Sequence, residues 1–185
     1  MTATTETSAL TGTWNLDPSH SRLGFSARHA MVTTVRGSFA DASGVLALDG
    51  EDPSKSTAQV TVQATSVETG APDRDGHLRS PDFFDVEKWP TLSFASTSAR
   101  AAGDDEYVLT GDLTIRDVTR PIDLRISYLG ASTDPFGNAR AGFEGTAELS
   151  RKDFGLVWNA VLETGGLLVS DKIKIVIDVS AIKAA

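Results

Sequence analysis

Three histidines and a scatter of carboxylates are the residues of this chain best suited by type to move protons or hold a metal. Asp17, His20 and Ser21 supply the members of a hydrolase triad within five residues. Side chains so close in sequence at the entrance to a strand do not converge on nucleophile, base and orienter geometry, and no GxSxG elbow accompanies them. The run Asp17-Pro18-Ser19-His20 reads instead as a turn, with Asp17 accepting from backbone amides and His20 bonding nearby.

His20, His29 and His77 could in principle make a three-nitrogen metal site, with oxygen from Asp75 or Asp82. None has the i, i+4 spacing of a helical metal motif, and His20 and His29 lie about 30 Å apart if the strand between them is extended. No metal, cofactor or catalytic residue is therefore assigned. Arg74, Asp75, His77 and Arg79 form a third cluster. Either Asp75 pairs with an arginine in a helix that corks one end of the fold, or Arg74 or His77 meets the polar end of a buried apolar molecule. Arg28, Arg36 and Arg151 carry the same charge and the same capacity.

The overall charge narrows the partners. Seventeen Lys and Arg against 25 Asp and Glu give a net charge of −8, which repels phosphate backbones and anionic membrane surfaces. Nucleic acid is not an expected partner. The absence of cysteine removes disulfides, thiolate metal sites and cysteine nucleophiles together. The start MTATTETSALTGTW has neither a basic n-region nor an apolar h-region, and no stretch approaches the ~18 apolar residues that span a bilayer. A cytoplasmic protein is expected.

From Thr13 onward the elements that must position these residues are strands. In residues 57–67, Ala58, Val60, Val62 and Ala64 alternate with Thr57, Gln59, Thr61, Gln63 and Thr65, so one face is buried and one is wet. The same period of two recurs to Val179, with turns expected at 103–106, 117–120 and 134–138 and a further turn at 29–33. Eight principal strands joined by short connections, plus a short opening segment near Trp14, predict an all-β fold, an eight-stranded antiparallel up-and-down barrel whose closure removes exposed edges. Residues 1–11 are expected to be a disordered arm.

One long interruption breaks this pattern. The run RDGHLRSPDFFDVEKWPTLSF, residues 74–94, holds Phe83, Phe84, Trp89 and Phe94 together with His77. It predicts a short helical insertion near residues 73–88, capped by Asp73, stopped by Pro81 and returned to strand by Pro90. Aromatic residues that plug a barrel also line it. Phe25, Phe39, Leu113, Ile115, Phe143 and Trp158 are further expected lumen or mouth positions. Small inward residues, among them Ala27, Gly37, Ala58, Ala64, Gly111, Gly145 and Ala147, leave room for a ligand or merely absorb the taper of a packed interior. The segment 155–170, with adjacent Gly165 and Gly166, reads as a connecting loop or as a flap over the entrance.

The insertion, the opening WNLDPSHSRLGFSARH (14–29), the strand pair YVLTGDLTIRDVTRPIDL (107–124) and SRKDFGL (150–156) together resemble the YceI-like family, in the right order over roughly residues 12–184. Arg74 to Leu78 match its RDxHL segment and Arg151 to Gly155 its R-x-D-F-G segment. The resemblance implies a single lipocalin-like barrel over residues 12–185 and a polyisoprenoid lipid, such as an isoprenoid quinone or polyprenyl phosphate, in its lumen. It implies non-catalytic storage or transport, with His29, Arg74, His77 and Arg151 as candidates to meet the head group. It is also compatible with transient membrane contact and a homodimer. Many relatives carry an export signal, which the start of this chain does not show. At ~0.3 kcal/mol per heavy atom, a forty-carbon tail would supply about 12 kcal/mol, on the order of nanomolar affinity. Two alternatives stay open: an enzyme acting on a hydrophobic substrate with His29 or His77 as acid or base, and a scavenger of assorted hydrophobic small molecules.

Overall fold

The alternation legible in the sequence is realised as one antiparallel sheet closed on itself. The computed structural model describes residues 9–185. Its strands are β1 (Gly12–Leu16), β2 (Arg22–His29), β3 (Thr33–Phe39), β4 (Ala42–Leu48), β5 (Thr57–Gln63), β6 (Val67–Glu68), β7 (Thr91–Gly103), β8 (Glu106–Ile115), β9 (Val118–Thr133), β10 (Ala139–Ser150) and β11 (Val169–Lys183). Closure comes through β11, which pairs with β10 along one edge and with both β2 and β1 along the other. Trp14 lies opposite Lys183 and Phe25 opposite Ile175, so β1 and β2 are two halves of one stave.

Two more staves are broken in the same way. β3 and β4 continue one another beside β2 and β1, and β5 and β6 continue one another beside β4 and β3. The eleven segments therefore make the expected eight-stranded up-and-down barrel. Local chemistry marks two of these three breaks. Asp17 Oδ1 accepts from the Ser19 amide at 3.0 Å and Pro18 begins a 3-10 turn, Pro18–His20, while Asp17 N donates to Ser180 O at 2.8 Å and keeps the stave attached to β11. A second 3-10 turn, Ala64–Ser66, separates β5 from β6. Ala64, expected on the inward lane of a continuous strand, is instead fully buried in that turn.

The connections define two ends. The mouth end carries the 30–32 turn, the insertion, the Arg116-Asp117 turn and the 151–168 segment; the far end carries the 49–56, 104–105 and 134–138 connections. The turn expected at 117–120 is shorter, because β9 already begins at Val118 and Arg116 takes the positive φ of 58°. At the mouth, Ala30 and Met31 both adopt positive φ between β2 and β3.

The disordered-arm expectation falls largely on residues 1–8, outside the described residues. Of the rest, Leu10 is buried, accepts from Trp14 Nε1 at 2.7 Å and joins Trp14, Ala141 and Ala181 in an apolar cluster at the far end. Thr11 Oγ1 accepts from the Gly50 amide at 3.0 Å. Leu10 and Thr11 thus belong to the packed far end of the barrel.

The insertion occupies a split in the sheet. β5 pairs with β7 only from Gln59 to Gln63, and β6 pairs with β3 alone, so one edge of β6 lacks a neighbouring strand. Helix α1 (Pro72–Arg79) supplies side chains in its place. Arg79 donates to Thr65 O and Val67 O, each at 2.8 Å, Arg74 donates to Thr69 O at 2.9 Å, and Asp75 Oδ1 accepts from the Thr69 amide at 2.8 Å. Backbone groups that a strand would have paired are satisfied this way. The helix starts with Pro72 at its first position after Ala71, not with Asp73 as cap, because proline loses nothing where the amide has no partner.

Candidate functional site

Along each stave, one set of alternate side chains points into the barrel, and these do not fill it. A main chamber of about 540 Å³ opens at the mouth end, and a smaller one of about 160 Å³ lies toward the far end. The larger volume falls within the range of small-molecule sites. Its wall is apolar, including Val60, Val62, Leu92, Ile122, Leu149 and Ile173. Apart from Ser93, the polar side chains that reach it come from the mouth end: Arg28, His29, Thr69, Asp73, Arg74, His77 and Arg151.

Phe25, Phe39, Phe83, Phe84, Phe94, Leu113, Ile115 and Trp158 all line the main chamber, and Phe143 lines the far one. Trp89 does not. It lies outside both walls with the Lys88 ammonium 5.4 Å from its ring, because the chain between Phe84 and Pro90 turns outward through Asp85 at φ 50°.

The inward glycines leave less space than their size suggests. A Cβ on Gly37 would meet the Phe25 ring, one on Gly111 the Phe94 ring, and one on Gly145 the side chains of Ile126 and Ile177 at 2.7 Å. Each glycine lets a neighbouring large side chain lie flat against the wall. The lumen is what remains inside that layer.

At the mouth, the expected head-group candidates separate into distinct roles. Arg151 is 2% exposed, and its guanidinium donates to the carbonyls of Ser170 (2.9 Å), Leu156 (2.7 Å), Trp158 (2.8 Å) and Val169 (3.3 Å). Burial lowers its pKa, partly opposed by Asp171. Its donors hold the 155–170 segment in place, so it is a support of that segment. Asn159 assists, since its side-chain oxygen accepts from the Ala160 and Val169 amides at 3.0 Å each. The segment folds as a small hairpin, with Val161 bridged to Leu167 and Leu168 N bonded to Ala160 O at 2.9 Å.

His77 Nε2 lies 2.8 Å from Asp82 Oδ2, and its ring packs on Phe83 and Trp158. Asp75 makes no arginine pair; Thr69 takes its carboxylate. His29 reaches the chamber rim from the end of β2, and Arg28 is held by Thr34 Oγ1 at 2.9 Å and Met31 O at 3.0 Å. Arg36 points outward.

The triad residues stay apart from all this. His20 Nδ1 lies 2.7 Å from Asp17 Oδ2, while Ser21 Oγ donates to Ser180 O at 3.2 Å and accepts from Ser180 N at 3.0 Å. Asp17 also binds Arg140 Nη1 at 2.7 Å, and Arg140 Nε binds Asp134 at 2.7 Å. Hydrogen bonds from Ser19 and Arg140 hold the Asp17 carboxyl well below the usual range, and those from Asn138 and Arg140 do the same for Asp134. This network ties the first bend to the 134–138 turn. Among the described residues, no group of three His, Asp or Glu is arranged to hold a metal.

A barrel of this topology with an apolar lumen, a helical insertion over a split edge and polar groups gathered at one mouth matches a known pattern. The family described as "YceI-like domain" matches residues 14–181. The chain belongs to the YceI-like family. The UPF0312 protein of Photorhabdus laumondii is 38% identical over 149 residues, 80% of this chain and 77% of that protein. Among solved structures, BcnA of Burkholderia cenocepacia superposes with a TM-score of 0.79 over 89% of this chain and 98% of its own, at 21% identity. A polyisoprenoid binding domain from Saccharophagus degradans, implicated in plant cell wall breakdown, superposes with a TM-score of 0.70 over 92% of this chain and 98% of its own, at 16% identity. At these identities the two structures establish the shared YceI-like barrel.

Proposed function

We propose that this YceI-like protein binds and carries a polyisoprenoid lipid without chemically altering it. One observation carries the reading: the main chamber is apolar along its length and meets polar side chains only near its opening. That distribution suits a long hydrocarbon with one polar end, such as an isoprenoid quinone or a polyprenyl phosphate. The fold shared with a polyisoprenoid binding domain supports it. The tail lies in the lumen and the head at the mouth, near Arg28, His29, Arg74 and His77. Arg151, its donors engaged by four carbonyls, orients the rim instead of the head.

Exchange with a lipid surface belongs to the same reading. Met31, Val32, Val157, Val161 and Leu167 are exposed apolar side chains of the two mouth loops, and Ala30 N donates to Leu168 O at 2.7 Å to join those loops. They put an apolar rim where a lipid enters. With a net charge of −8, contact rests on this apolar surface and not on attraction to anionic head groups.

Titration of the Trp89→Phe variant with a prenyl quinone tests the reading, because of its two remaining tryptophans Trp158 lines the chamber and Trp14 is buried in the far-end cluster. Saturable quenching that is abolished by Leu113→Phe, which crowds the chamber, is expected; quenching indifferent to that substitution contradicts internal binding. Replacing His29 and His77 by glutamine should leave ligand retention in place and reveal no loss of turnover.

A further inference from the structure

The two chambers share four wall residues, Leu23 of β2, Val60 of β5, Leu124 of β9 and Ile177 of β11. These side chains form a collar at one level of the barrel. On the mouth side lie Phe25, Val62, Ile122 and Ile175; on the far side lie Leu16, Ala58, Ile126 and Val179, one inward position further along the same staves. Glycines seat two of its side chains against the wall: Ile177 lies over Gly145, and Val60 Cγ2 lies over Gly44, 3.1 Å from where a Cβ would stand.

Beyond the collar, the far chamber is lined by Leu10, Leu46, Leu48, Leu109, Tyr128 and Phe143. Its one charged wall residue, Asp49, already accepts from the amides of Glu51 and Asp52, at 3.0 and 2.8 Å. The rest of its wall is uncharged. A volume of about 160 Å³ against about 540 Å³ suits the end of a chain.

Resting on the lipid-carrying reading above, we infer that the far chamber is a separate subsite for the terminal units of a long prenyl tail. The collar of Leu23, Val60, Leu124 and Ile177 thereby selects ligands by length. Short tails end in the main chamber. Longer ones pass the collar and gain a second apolar contact surface, so affinity keeps rising with length until the far chamber is filled.

Ubiquinone homologues of increasing tail length, titrated against the full chain by quenching of tryptophan fluorescence, provide the test. Two substitutions separate the chambers: Ala99→Phe fills the far chamber alone, and Val60→Phe blocks the collar, with urea denaturation confirming that each variant is folded. The wild-type protein should gain about tenfold in affinity for each further five-carbon unit that enters the far chamber. Ala99→Phe should bind short-tailed homologues as the wild type does and lose that last gain. If Ala99→Phe keeps the long-tail advantage, or if the wild type binds short and long homologues alike, the subsite and its collar are overturned while lipid carriage stands. Failure of every homologue to bind the wild type overturns lipid carriage and the subsite with it.

Discussion

The Trp158 indole meets the His77 imidazole edge to face, with ring centroids 4.5 Å apart. Phe83 completes the cluster, 5.0 Å from His77 and 5.6 Å from Trp158. These three rings join the helical insertion to the 155–170 segment, so the two structures that frame the mouth are held to one another by aromatic contact. In the proposed function, loosening this contact widens the mouth for a departing ligand.

Trp158→Ala should therefore speed release. An aromatic pair contributes about 0.5–1.5 kcal/mol, so stopped-flow displacement of a bound prenyl quinone should quicken roughly twofold to tenfold. An unchanged release rate would show that the mouth opens elsewhere.

Arg151 is expected to matter for stability more than for head-group binding. Arg151→Met removes a buried cation and leaves the carbonyls of Leu156, Trp158, Val169 and Ser170 without their donor. Urea denaturation should register a loss of about 3 kcal/mol. A variant of wild-type stability with weakened quinone binding would return Arg151 to the head-group role.

The network of Asp17, Arg140 and Asp134 makes stability depend on acid. Both carboxyls have pKa values depressed in the folded state, so their contribution is complete above the ordinary carboxylate pKa of about 3.9 and is lost as pH falls through the lower folded values. Arg140→Met should lower the thermal midpoint at pH 7 and have a smaller effect below about pH 3. An equal loss at both pH values would place the effect in packing instead of charge.

Much of this was legible in the sequence because strand period, turn residues and one aromatic interruption are local signals. The alternation of residues 57–63 and of the β11 segment requires a buried inner face, and the run from Arg74 to Phe94 announces a break in it. The Ala64–Ser66 turn was hidden because alternation in sequence continues across it. Trp89 looked like a lumen residue by its company, yet the turn at Asp85 carries it outward.

The hold of Arg151 on the 155–170 segment was hidden for a different reason. Its partners, the carbonyls of residues 156–170, become close only when the barrel is formed, and a cation near a mouth has the same signature in sequence whether it serves a ligand or a loop. The inward glycines were ambiguous likewise, since a missing side chain is either space or a seat for a neighbour. Gly111 and Gly145 are seats, for Phe94 and for Ile126 with Ile177. The collar could not be seen at all, as it depends on the level at which four staves meet.

The most direct measurement is organic extraction of protein purified from its own cells, followed by mass spectrometry of the extract. A polyisoprenoid lipid in near-equimolar amount, absent from a Leu113→Trp preparation carried through the same steps, is the predicted result. Lipid-free protein, or the same lipid retained in equal amount by the filled barrel, would contradict the claim that the lumen is a lipid site.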